Sequence, residues 1–194
     1  MSDSVCVFCG SNLGGDPAFA AAADALGAAL ARSGRRLVYG GANVGLMGRL
    51  ADAALAAGGE VLGIMPAALV AKEIGHRDLR ELVVVDSMHE RKAAMADAAD
   101  AFVALPGGMG TFEELCEMLT WSQLGLHRKR VVVFDVGGFY EPLFALFDRA
   151  VDAEFLRPEH RELAARATTV EEVMALLATP PPDIRPKWID RDQT

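Results

Sequence analysis

Short, continuous apolar runs alternate with longer stretches of mixed polarity along the whole chain. The runs at 5–8, 37–39, 61–65, 82–85, 101–105 and 131–135 have strand length and read as strands buried on both faces of a sheet. Between them, apolar residues recur at helical spacing over 17–33, 44–57, 88–99, 111–124 and 139–153, with a last helix expected over 170–178. The punctuation agrees. Asp16-Pro17 offers an N-cap followed by proline at the first helical position, and Gly34 suits the residue after that helix. Gly58-Gly59 closes the second helix in the same way, and Thr168-Thr169 offers a cap for the last. Strands alternating with helices of this length predict right-handed βαβ units around a parallel sheet. The expected fold is therefore a doubly wound, Rossmann-like α/β sandwich of three layers. It forms one domain over 1–179, followed by a tail over 180–194 that opens on Pro180-Pro181-Pro182.

Composition narrows the class. The 194 residues are 52% hydrophobic and 24% charged, too apolar for a disordered chain and enough for one core. The formal net charge of −8 argues against nucleic acid and anionic membranes as partners, and a small anion would need local positive charge. The most apolar stretch, 17–31, is broken by Asp24 and Gly27 and is shorter than the roughly 20 residues that span a bilayer. No basic n-region precedes the first strand, so no signal peptide is read, and a cytoplasmic location is the default. Three cysteines are too few for a disulfide framework. Cys6-Val7-Phe8-Cys9 matches C-x-x-C but lies on and just after a strand, where residues three apart point to opposite faces, so both are read as buried structural thiols.

In a sheet of this kind ligands bind beyond the carboxyl ends of the strands, near the point where strand order reverses. Four loops leave that edge. Gly10-Ser11-Asn12-Leu13-Gly14-Gly15 follows the first strand, and Gly40-Gly41-Ala42-Asn43-Val44-Gly45-Leu46-Met47-Gly48 follows the second. Asp86-Ser87-Met88-His89-Glu90-Arg91-Lys92 follows the fourth, and Pro106-Gly107-Gly108-Met109-Gly110-Thr111 the fifth. Glycine turns running into helix N-termini present free amides and partial positive charge, which favours a phosphate group. The chain lacks G-x-x-x-x-G-K-[ST], and its first loop lacks G-x-G-x-x-G, which excludes a P-loop and disfavours a standard dinucleotide site.

Two readings stand side by side for the charged residues of these loops. Arg91 and Lys92 open a helix, where the dipole disfavours cations, so they either serve an anion at this edge or are solvated cations paired with acids such as Glu90. Thr111-x-x-Glu114 fits a capping box, with Thr111 at the N-cap; alternatively Glu114 is a working carboxylate beside a phosphate cradle. Met47, Met88, Met95, Met109 and Met118 fall in or beside these segments, as core filling or as an adaptable contact surface.

Pro106-Gly107-Gly108-Met109-Gly110-Thr111-Phe112-Glu113-Glu114 resembles the P-G-G-x-G-T-x-x-E signature of the LONELY GUY (LOG) family of cytokinin riboside 5′-monophosphate phosphoribohydrolases, long labelled lysine decarboxylases. Met88-His89-Glu90-Arg91-Lys92 is similar to the family's M-H-x-R-K motif. Phe8-Cys9-Gly10-Ser11, Tyr39-Gly40-Gly41 and Lys72-Glu73-Ile74-Gly75-His76 also match, with Asn12 where the family commonly has serine. The resemblance implies hydrolysis of the N-glycosidic bond of an N6-modified adenosine monophosphate, such as N6-isopentenyl-AMP, or of AMP itself. It implies Arg91 and Glu114 as the catalytic pair and Gly107, Gly108, Met109, Gly110 and Thr111 around the 5′-phosphate. Lys92, Glu73, Glu113, Thr120 and Met88 would complete the nucleotide contacts, and Gly10 and Ser11 would line the same cleft. It further implies a homodimer, no cofactor and no metal. The alternative is a non-catalytic nucleotide or molybdenum-cofactor carrier on the same fold. A pyridoxal-dependent decarboxylase needs a Schiff-base lysine, and of Lys72, Lys92, Lys129 and Lys187 only Lys92 sits in a motif, one already assigned.

Overall fold

The computed structural model describes residues 3–70, 75–76, 78–184 and 187. Seven parallel strands form one sheet: β1 (Ser4–Phe8), β2 (Arg36–Tyr39), β3 (Val61–Pro66), β4 (Glu81–Val85), β5 (Ala101–Ala104), β6 (Arg130–Phe134) and β7 (Ala164–Ala167), in the order β4-β3-β2-β1-β5-β6-β7. The chain winds outward from β1 on one side, then returns to pair β5 with β1 and winds outward on the other. Strand order thus reverses once, between β1 and β5, where Val5 lies opposite Ala101 and Phe8 opposite Ala104. The helices are α1 (Pro17–Arg32), α2 (Gly45–Ala56), α3 (Ala67–Val70), α4 (Met88–Asp97), α5 (Met109–Gln123), α6 (Glu141–Asp152), α7 (Pro158–Arg161) and α8 (Val170–Leu177).

Alternation along each strand splits the core into two layers. Val5, Val7, Leu37, Tyr39 and Val103 face Leu26 and Leu30 of α1, Leu46 and Leu50 of α2 and Val173 of α8. Cys6, Phe8, Val38, Phe102 and Val131 face Met95 of α4, Leu115 and Met118 of α5 and Phe144 of α6. Cys6 and Cys9 accordingly lie in opposite layers, both buried and free, and burial pushes both thiols up. Helices α1 and α2 pack backbone to backbone: a Cβ added at Gly27 would stand 2.2 Å from the Leu50 carbonyl oxygen.

The caps follow the sequence at α1, where Asp16 accepts from the Ala18 amide, and at α8, where Thr169 accepts from the Glu172 amide. Gly34 and Gly58 carry the positive φ expected after α1 and α2. Three expectations are corrected. β7 reads Ala164-Ala165-Arg166-Ala167, too short and too poor in β-branched residues to register as a strand. β4 is an edge strand, so Val83 and Val84 are 44% and 52% exposed rather than buried on both faces. Helix α5 starts at Met109, not Thr111. The first part of the tail is tied down: Arg130 donates to Thr179 and to the Pro180 carbonyl, and the Lys187 amide donates to the Gln123 carbonyl.

Candidate active site

The loops after β1, β2 and β5 are bound to one another at the sheet's carboxyl edge. The Gly10 amide donates to the Pro106 carbonyl (3.1 Å), and the Gly10 carbonyl accepts from the Leu46 amide at the start of α2 (3.0 Å). Gly107 is packed so closely that a Cβ there would lie 2.1 Å from Thr111 Oγ1 and 2.9 Å from the Gly10 amide nitrogen. The chain then extends at Gly108, which is the N-cap of α5 and is capped by no side chain. The amides of Met109, Gly110 and Thr111 form the helix's positive end.

This start corrects the capping-box reading. Glycine is accepted at an N-cap, so the helix begins three residues earlier than a Thr111 cap predicts. Thr111 is already inside the first turn, buried, and Glu114 lies one turn deeper. Its carboxylate has no cap to make.

Helix α4 is capped instead by Ser87, whose hydroxyl accepts from the Glu90 amide, while Glu90 accepts from the Asp86 amide. Glu90 is thereby engaged, and the two cations behind it are buried, Arg91 at 9% exposure and Lys92 at 7%. They diverge. Lys92 binds Glu113 and, at 3.0 Å, Glu117, tying α4 to α5. Arg91 turns into the cleft. Its Nη2 lies 3.9 Å from Glu114 Oε1, its Nη1 lies 3.8 Å from Met88 Sδ, and its buried Nε has no hydrogen-bond partner among the described residues. Gly40, at the end of β2, makes room for this guanidinium: a Cβ there would meet Arg91 Nη2 at 2.0 Å. Burial pushes the Glu114 carboxyl up to about 7, against the opposing pull of Arg91.

These groups surround one cavity of about 400 Å³. Gly10, Ser11, Met88, Arg91, Gly108, Met109, Gly110, Thr111 and Glu114 all line it. Gly107 sits behind its wall, and Lys92 and Glu113 are paired with each other beside it. Thr120 is elsewhere, its hydroxyl on the Cys116 carbonyl and its side chain at a second cavity between α5 and α6. Glu73, with Lys72 and Ile74, lies outside the described residues. Four of the five methionines singled out in the sequence, Met47, Met88, Met95 and Met109, line the first cavity together with Met65; Met118 is core. The sequence assigns no role to Met65, an ordinary strand residue, or to Glu117, which the structure places on Lys92. The one signal for Glu117 was its place one helical turn beyond Glu113, on the side of α5 that meets Lys92.

A family model described as "Possible lysine decarboxylase" matches residues 47–177. The chain is 49% identical to a probable cytokinin riboside 5′-monophosphate phosphoribohydrolase of Oryza sativa subsp. japonica, over 88% of this chain and 76% of the relative. It is 47% identical to the cytokinin riboside 5′-monophosphate phosphoribohydrolase of Rhodococcoides fascians, over 91% and 90% respectively. Among solved structures, the molybdenum cofactor binding protein of Rippkaea orientalis superimposes with a TM-score of 0.71 at 21% identity, covering 91% of this chain and 96% of that one. The molybdenum cofactor carrier protein of Chlamydomonas reinhardtii gives 0.69 at 22%, covering 92% and 100%. At that identity the likeness is one of fold.

Proposed function

The chain belongs to the LONELY GUY family of cytokinin riboside 5′-monophosphate phosphoribohydrolases, and on that premise we propose that it hydrolyses the N-glycosidic bond of adenosine 5′-monophosphates, N6-modified or plain. The products are the free base and ribose 5-phosphate. The observation that carries this reading is the approach of buried Arg91 and largely buried Glu114 to 3.9 Å inside the cavity that α5 opens onto.

The 5′-phosphate sits at the amides of Met109, Gly110 and Thr111, where the dipole of a 15-residue helix and a packed glycine turn favour an anion. Glu114, one turn deeper, faces the sugar. It takes a proton from water as the water oxygen attacks C1′, and its negative charge stabilises the oxocarbenium character that develops there. The C1′–N9 bond breaks, its electron pair leaves with the base, and the base takes up the proton that Glu114 gives back, which restores the carboxylate. Arg91 meets negative charge, on the phosphate or on the departing base. Lys92 and Glu113 act through position, holding α4 and α5 at the separation that sets the Arg91–Glu114 gap. Among the described residues no lysine lines the cavity, so its walls do not fit the pyridoxal chemistry of a lysine decarboxylase.

Glu114→Gln tests the reading. Release of base and ribose 5-phosphate from N6-isopentenyl-AMP and from AMP is expected to fall by about 10³-fold, the scale of a lost general base, in a protein that stays folded. A variant working at the wild-type rate would end it. A wild-type protein that released neither product from any nucleoside monophosphate would place the chain with the carriers. The same reading includes a cytoplasmic location and a homodimer; the dimer is supported by apolar side chains left at the surface, among them Leu146 and Phe155 at 62% and 82% exposure.

A further inference from the structure

Met88 is the first residue of α4 and stands at the rim of the cavity, 47% exposed. Its sulfur is the neighbour of Arg91 Nη1, at 3.8 Å, while Nη2 looks across 3.9 Å to Glu114 and Nε is buried without a hydrogen-bond partner among the described residues. A thioether is a weak acceptor. The guanidinium is thus steered by Met88 without being strongly bound by it, and its donors remain available to an anionic ligand. The balance would change with one added oxygen, because a sulfoxide is polar and its oxygen is a far better acceptor than sulfur.

We propose that Met88 is an oxidative modification site: a peroxide converts its thioether to the sulfoxide, whose oxygen then captures the Arg91 guanidinium and withdraws it from the substrate. A sulfur lone pair attacks one peroxide oxygen, the O–O bond breaks as the S–O bond forms, and with hydrogen peroxide one water leaves. Sulfur loses two electrons and the peroxide gains them. The change is reversible, since methionine sulfoxide reductases remove the oxygen. Met65 and Met95, also in the cavity wall, are each 1% exposed and shielded from the oxidant. Met109, 84% exposed on α5, is oxidised alongside Met88 and has to be separated from it. The inference rests on the reading that Arg91 touches substrate.

The experiment treats the wild-type protein, M88L and M109L with hydrogen peroxide until peptide mass spectrometry shows one added oxygen at each methionine that remains of this pair. Base release from AMP is compared with each protein's own untreated rate, and the side-chain Nε–H resonance of Arg91, assigned by its loss in R91K, is followed in parallel. Wild type and M109L are expected to lose about tenfold in rate, the worth of one hydrogen bond to a charged group, and M88L less than about twofold. The Arg91 resonance should move in the first two proteins and stay in M88L, and methionine sulfoxide reductases should restore both rate and resonance. A resonance and rate unmoved by oxygen at Met88, or an M88L protein as sensitive as wild type, would overturn the proposal. If the untreated protein released no base, the hydrolase reading would fall, and the resonance alone would decide the role of Met88.

Discussion

Glu114 is largely buried, and Arg91 faces it at 3.9 Å without touching; burial outweighs the pull of Arg91 and Lys92 and pushes its carboxyl up from the ordinary 4.5 to about 7. A base on water has to be ionised. kcat/KM for AMP should therefore rise with pH and level off above about 7, roughly one unit above the second ionisation of a phosphate monoester near 6. A limb at the phosphate value alone would show that Glu114 does not take the proton. Stability carries the opposite sign. Between 4.5 and 7 the folded protein holds a proton that the unfolded chain has released, so this residue subtracts from stability as pH rises through that window. Glu114→Gln should unfold in urea like wild type near pH 4, and be the more stable of the two above pH 7 by at most about 3 kcal/mol. Gly40→Ala makes the complementary test on Arg91. The added methyl would meet the far ends of two flexible side chains, Arg91 Nη2 at 2.0 Å and Met47 Sδ at 3.1 Å, so the fold can accommodate it while the guanidinium cannot stay. Thermal melts should show a change within about 1 kcal/mol, whereas kcat/KM should fall about 10²-fold, the cost of a misplacement of about an ångström.

At the scale of elements, the same residue type sets a helix–helix distance. Gly27→Ala would raise helix propensity by about 1 kcal/mol, yet its methyl would enter the Leu50 carbonyl, which is backbone and cannot rotate away. The clash wins. α1 and α2 must part, and the urea midpoint should drop by the equivalent of about 2 kcal/mol net. Six of the seven strands and the helices α1, α2, α4, α5, α6 and α8 were legible because each carries a long enough run of one period. The four-residue α3 and α7 and the strand β7, with its Arg166, carry no such run. Helix α5 was legible as a helix and misread at its start, because Thr111-x-x-Glu114 and Gly108 are both admissible beginnings. Only packing against Gly10 and Gly107 selects between them. That choice is what frees Glu114 for chemistry.

For the molecule as a whole, a net charge of −8 says little about a site whose two cations are buried, one of them neutralised by Glu113 and Glu117. The gathering of the glycine loops at one edge followed from the βα alternation, but the pairing of Lys92 with α5 did not, since it depends on two helices that are adjacent in the layer. The strand order, with its single reversal, is what brings those helices together. Sedimentation equilibrium should give twice the chain mass of 20.6 kDa; a single-chain mass at micromolar concentration would refute the dimer. The pairing of β1 with β5 has a consequence for how the protein comes to exist. β1, β2, β3 and β4 are joined by local crossovers, whereas Val5 must find Ala101 across half the chain, the kind of non-local closure that slows folding. The first loop and the α5 loop flank that seam, so no early folding species that lacks it has the nucleotide cleft. A ligand specific for the cleft therefore stabilises only a sheet in which β1 and β5 have paired.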